Sequence, residues 1–145
     1  TNAPRTLDND QEWPVMSIRL SSGRLDCVSI LKAVSVMVGA AGNYTFKLVK
    51  GGDLTGANFL PGHFDSNVEV DTSATAIANG HVVASRVVSF SNQSQENLDL
   101  GGGDLFDFQL ERNGLSGTTE AYTIVVIGSP NSFESAASMD WEEVF

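Results

Sequence analysis

Residues 104–127 constrain the fold of this chain more than any other stretch. Phe106, Phe108 and Leu110 alternate with Asp107, Gln109 and Glu111. A period of two sets one apolar face against a core and leaves the other in water, which is a half-buried strand. The loop that follows carries Asn113-Gly114 and Gly117, residues that adopt positive φ at little cost. Tyr122-Thr123-Ile124-Val125-Val126-Ile127 is then apolar on both faces, as a central strand is. The two runs predict a hairpin-like unit in an all-β domain, a β-sandwich rather than a catalytic α/β fold.

The rest of the chain repeats this pattern. Val15–Leu20 alternates and predicts a short strand, closed by a turn at Ser21–Arg24. Leu25–Val38 is the longest apolar run. Val28, Ile30, Val34, Val36 and Val38 share one parity, and Cys27, Leu31, Ala33 and Met37 the other, with Lys32 breaking the first. Such a strand is central, or it changes sheets at a bulge near Lys32. A hairpin loop at Gly39–Asn43 leads to Tyr44–Lys50, where Tyr44, Phe46 and Leu48 point inward; these two strands are expected to pair. Gly51–Ser66 is a long connection whose Leu54, Phe59, Leu60 and Phe64 suggest packing or contact. Short strands at Asn67–Asp71 and Val82–Phe90, a glycine break at Gly101–Gly103, and a closing edge strand over Ala136–Val144 complete the chain. About eight strands with turns at this spacing predict an antiparallel two-sheet sandwich, jelly-roll-like or another Greek key.

Residues 1–14 differ from the rest. They are polar, hold Pro4 and Pro14, and show no periodicity. They predict an extended N-terminal arm, with residues 15–145 as the sandwich domain. Leu7, Trp13 and Pro14 would be its anchors on a neighbouring subunit, since an exposed tryptophan in a polar arm asks for a partner.

The chain has 145 residues, which suits one domain. About two-thirds of the surface of a chain this long is buried on folding, enough for a core without metals or disulfides. The lone Cys27 reads as a buried small hydrophobe. Eighteen acidic against eight basic residues give a net charge of −10. Such a surface repels phosphate backbones and anionic lipid, so neither nucleic acid nor membrane is an expected partner. No signal peptide opens the chain, and Thr1 is small enough to remain after loss of an initiator methionine, so the chain reads as a complete small protein.

No strong catalytic motif is present: there is no Gly-x-Ser-x-Gly, Walker loop, His-Glu-x-x-His or dinucleotide fingerprint. His63 and His81 are the only histidines, and nothing in their spacing predicts a triad or a zinc site. Asp8, Asp10 and Glu12, and Asp140, Glu142 and Glu143, lack the calcium-loop pattern and read as solvated faces. Asp104 and Asp107 lie three apart on one strand, hence on opposite faces, and make a poor acid–base pair. The expectation is a protein that is not an enzyme and needs no cofactor. Were the chain a glycan-binding module instead, Tyr44, Tyr122 and Trp141 would be the aromatics to test.

Several segments resemble small virion structural proteins of tailed bacteriophages: Ser66–Ala76, Gly80–Ser85, Ser91–Ser94, Asp104–Leu110 and Ser138–Glu143. The resemblance spans residues 66–144 and lies in strand-and-turn wording. It implies a β-sandwich on the virion surface, often trimeric. The role implied is a capsid decoration (cement) protein bound to the major capsid protein, made in the host cytoplasm and carried on the capsid. A receptor-binding fibre tip is the alternative, but the chain carries no shaft. On this reading Leu7, Trp13, Pro14, Phe59, Leu60 and Phe64 are the capsid or subunit contacts.

Overall fold

The computed structural model describes residues 5–24, 28–62, 66–90, 94–98, 109–110 and 120–144. Among them there is no α-helix, and every strand pairing is antiparallel. The strands are β1 (Arg5–Asp8), β2 (Trp13–Leu20), β3 (Val28–Val38), β4 (Gly42–Lys50), β5 (Asp53–Thr55), β6 (Leu60–Pro61) and β7 (Val68–Asp71). They continue with β8 (Ala76–Ala78), β9 (His81–Phe90), β10 (Ser94–Leu98), β11 (Gln109–Leu110), β12 (Tyr122–Gly128) and β13 (Ser132–Val144).

Two sheets form a sandwich. One runs β1-β13-β3-β10, with β11 also on β3; the other runs β6-β7-β2-β12-β4-β9. Their inner faces share one core. Leu7, Leu31, Val34, Val36, Val38 and Met139 come from the first sheet, and Ile18, Leu20, Tyr44, Phe46, Leu48 and Ile124 from the second. Tyr44 and Phe133 meet edge to face across it, ring centroids 5.2 Å apart at 80°, a favoured aromatic geometry. The expected sandwich is therefore observed, with β12 central and buried along most of its length.

The parity break in β3 is a bulge. Opposite β13, Asp140 pairs with Ala33 and Trp141 with Leu31, so Lys32 has no partner of its own on that strand. The extra residue inverts the alternation. Ser29 and Leu31 face inward before it, Val34, Val36 and Val38 after it, while Lys32 and Ala33 are both exposed. On the other flank of β3 the described rungs place Leu98 of β10 opposite Val34 and Gln109 of β11 opposite Ile30. Lys32 pairs with Glu142 at 3.1 Å on the surface.

Three expectations are corrected. Residues 5–14 are not a detached arm: β1 pairs with β13, Leu7 is 1% exposed within the core, and Trp13 and Pro14 open β2. A polar composition hides this, because a four-residue strand needs one inward side chain, and Leu7 supplies it. β3 and β4 are not a hairpin, since they lie in opposite sheets and the Gly39–Ala41 loop carries the chain across the core. Likewise β11 lies on β3 while β12 lies in the other sheet, so the 104–127 unit is no hairpin; Asp104–Phe108 and the 111–119 loop lie outside the described residues. Alternation fixes which face is buried, and it is blind to whether the next strand joins the same sheet. The closing strand β13 is longer than expected: β1 flanks it along Ser132–Ser135, and over Ala136–Val144 β3 is its one pairing partner among the described residues.

The long connection after β4 opens an insert that carries strands of its own, β5 to β8. β5 and β8 form a two-stranded ribbon. The glycines at its base, Gly51 (φ 72°) and Gly52 (φ 92°), take a left-handed backbone, and a Cβ on Gly52 would meet the Ala78 carbonyl at 2.9 Å. The insert covers the outer face of the second sheet. Val49, Val125, Ser17 and Thr123 point away from the core yet are buried, and Ile77 of β8 shares a small cavity of about 120 Å³ with Val49 and Val125. Beneath it the Ser17 and Thr123 hydroxyls bond each other at 2.8 Å, so neither is left unpaired.

Candidate functional site

The insert and the end of the second sheet enclose an open, polar cleft of about 730 Å³, lined by Arg19, Gly52, Asp53, Asn58, Phe59 and Glu120 among others. β2 supplies Arg19 from its outward face. The Arg19 Nε donates to Glu69 Oε1 of the adjacent β7 at 2.7 Å. Its guanidinium lies 3.8 Å over the Phe59 ring, a stacked cation–π contact. These two contacts fix a long side chain that would otherwise be mobile. Asp53 accepts from the Asn79 Nδ2 at 3.0 Å, at the rim of the ribbon. The cleft thus presents an aromatic ring, a held guanidinium, carboxylates and main-chain polar groups on one concave surface.

The wall of this cleft is positioned by Asp71, which is 2% exposed. Its Oδ1 accepts from the Asn58 amide at 2.8 Å, the Ser73 amide at 3.0 Å and the Ser73 hydroxyl at 2.6 Å, and its Oδ2 accepts from the Ala74 amide at 3.1 Å. Burial alone would raise this carboxyl, but the four hydrogen bonds outweigh it and hold it below its ordinary range. Arg5 grips the same loop from the side of β1. Its Nη1 donates to the carbonyls of Pro14 (3.1 Å) and Thr72 (3.2 Å), and its Nη2 to Ala74 (2.8 Å). Burial lowers the Arg5 pKa, and the charge of Asp71 opposes that fall. Neither residue stood out in the sequence. Arg5 binds carbonyls of a loop distant in sequence, and Asp71 binds mostly main-chain amides, three of its four bonds to Ser73 and Ala74 just after it; main-chain groups leave no mark on composition.

The expected contact residues are divided by the structure. Leu7 and Pro14 are buried within their own chain; Trp13 is half-buried, 6.0 Å from the Arg5 guanidinium carbon, and donates its Nε1 to the Asp8 carbonyl at 3.1 Å. None of the three is a free anchor. Phe59 lines the cleft, and Leu60, 57% exposed, sits beside it on the edge strand β6. Phe64 and His63 lie outside the described residues, as does Cys27. The aromatics named for glycan contact fare differently: Tyr44 and Tyr122 are 1% exposed core residues, and Trp141 is half-buried with its Nε1 on Glu143 at 3.0 Å. Glu143 also accepts from the Ser66 hydroxyl, and Glu12 pairs with Lys47 at 3.0 Å, so these acids are tied into the fold. His81 opens β9 on an exposed edge.

No family model matches the chain, and neither the curated proteins nor the solved structures contain a match. Among the described residues no helix is long and apolar enough to cross a membrane, and no three histidine, cysteine or carboxylate side chains gather as a metal site.

Proposed function

We propose that this chain is a non-enzymatic virion structural protein, a decoration (cement) protein of a tailed-phage head that binds the major capsid protein. The observation that carries this reading is the strand order. Leaving aside the insert strands β5–β8 and taking β10 and β11 as one, the first sheet runs first-eighth-third-sixth and the second runs second-seventh-fourth-fifth. We read that interleaving as a jelly roll, an architecture used in viral capsid and lectin domains. A rigid sandwich that bridges a seam present only in the expanded shell stabilises that shell by mass action. A trimer would add to this through effective concentration. The candidate contact is the insert, where Leu60 is exposed beside Phe59. The test is co-sedimentation of the purified protein with expanded and unexpanded heads of its phage. Binding to the expanded form, with a higher temperature of shell disruption, is expected; binding to neither ends the idea.

The cleft favours one second reading, a carbohydrate-binding module. Sugars bind where an aromatic face lies beside carboxylates and a fixed guanidinium, the set that Phe59, Asp53, Glu120 and Arg19 present. A glycan array with the wild type, R19A and F59A decides it. Glycan signal lost in both variants supports the module, and no signal from the wild type removes it.

A further inference from the structure

We propose that β1 is an exchangeable strand: it leaves its own sheet and fills the same slot beside β13 in a second copy of this chain. What holds β1 is a set of contacts that an identical copy reproduces. They are the four-residue ladder from Arg5↔Ser135 to Asp8↔Ser132, the Leu7 side chain in the core, and the Arg5 bonds to Pro14, Thr72 and Ala74. Exchange therefore leaves the contact set of the strand unchanged, and the balance falls to the connection and to protein concentration.

The connection is built to tip that balance. Asn9–Glu12 takes the chain from one sheet to the other in four residues, and three of them are exposed. Asp10 sits at φ 56°, in the left-handed region, with its amide on the Gly128 carbonyl at 2.9 Å. A side chain there is strained, and an extended connection relieves it. Withdrawing β1 frees one fully buried apolar side chain, so opening disturbs little of the core. The socket is then an edge of β13 with unpaired main-chain groups along Ser132–Ser135, a template for one strand of the right register. The partner is a second copy, because Leu7, Arg5 and this register match only this slot.

Thr6 and Glu134 are exposed and directly opposite one another across β1 and β13, which makes a direct test. In a Cys27→Ser background, Thr6→Cys and Glu134→Cys are prepared as separate proteins, mixed over a range of concentrations and oxidised. The expected result is disulfide-linked pairs of one chain of each kind, with a yield that rises with concentration. The double variant should give covalent oligomers as well as internally closed chains. Mixing Thr6→Cys with Ser85→Cys, an exposed site on β9, reports collisional linkage; equal yield there overturns the proposal. So does a double variant that closes only within single chains while the mixture stays unlinked. The hinge gives a second readout: Asp10→Gly should lower the linked fraction at least about fivefold by removing the strain, and no change in that fraction counts against the hinge as the driver.

Discussion

Arg5 and Asp71 hold one loop from its two chemical sides. The guanidinium binds the carbonyls of Thr72 and Ala74, and the carboxylate binds the amides of Ser73 and Ala74. Between them they join the first strand of one sheet to the insert lying over the other. The loop is stiff because its main chain is saturated with charge-assisted bonds.

Removing Asp71 should therefore cost more than an ordinary polar deletion. Asp71→Ala leaves the buried Ala74 amide and the part-buried Asn58 and Ser73 amides without their acceptor. A loss of about 2–4 kcal/mol is expected, read from urea unfolding. Asp71→Asn keeps the shape and some of the bonds, and should lose less. A variant of unchanged stability would show that the loop is held elsewhere.

The same carboxylate sets a pH dependence. Its four hydrogen bonds hold its folded pKa below the unfolded value, which is about 3.9. A group shifted in that direction stabilises the fold fully above the unfolded pKa and loses this as pH falls through the folded one. The stability gap between wild type and Asp71→Asn should be constant near neutrality and narrow below about pH 4. Unfolding midpoints at pH 7, 5, 4 and 3 measure it, and a gap that widens in acid contradicts the assignment.

Gly128 is fixed by the aromatic pair beside it. A Cβ there would overlap the Phe133 ring and lie 2.9 Å from the Tyr44 ring. Tyr44 cannot retreat easily, because its hydroxyl donates to the Ala40 carbonyl at 2.7 Å. Gly128→Ala should cost about 1–3 kcal/mol through overpacking. Gly23→Ala, where no atom lies within 4 Å, is the control and should change little.

The sequence was readable wherever a side chain's direction was the question. Tyr44, Phe46 and Leu48 announce an inward face by alternation, and the run over Tyr122–Ile127 announces a strand covered on both sides. It was unreadable wherever the question was which strand lies next. The Gly39–Ala41 loop looks like a hairpin turn, yet it crosses the core, because the same small residues serve both. Leu7 was hidden for a related reason: one apolar residue among polar ones gives no period, and only the vacant place beside Phe133 makes it a core residue. The cleft was half legible. Phe59 showed itself as an apolar residue in a long loop, whereas Arg19 became a site residue only once Glu69 and Phe59 were brought to it.

Lys32 offers the sharpest test of this reading of β3. If it is a bulge residue, it can be removed without turning any side chain to the wrong face. Deleting it leaves Asp140↔Ala33 and Trp141↔Leu31 as consecutive rungs of a regular ladder, with Leu31 and Val34 still inward and Ala33 outward. The loss is a surface ion pair with Glu142, worth at most about 1 kcal/mol. Deleting Ser35 instead adds no such repair. It shifts everything beyond Val34 by one position and turns Val36 and Val38 to solvent, while Met37 moves inward. Two valines lost from the core cost roughly 1.5–3 kcal/mol each, a large share of the stability of a domain this size. The Lys32 deletion should therefore fold with a melting temperature near wild type, and the Ser35 deletion should not fold. Equal damage from both would mean that the extra residue at Lys32 is required by the sheet rather than carried by it.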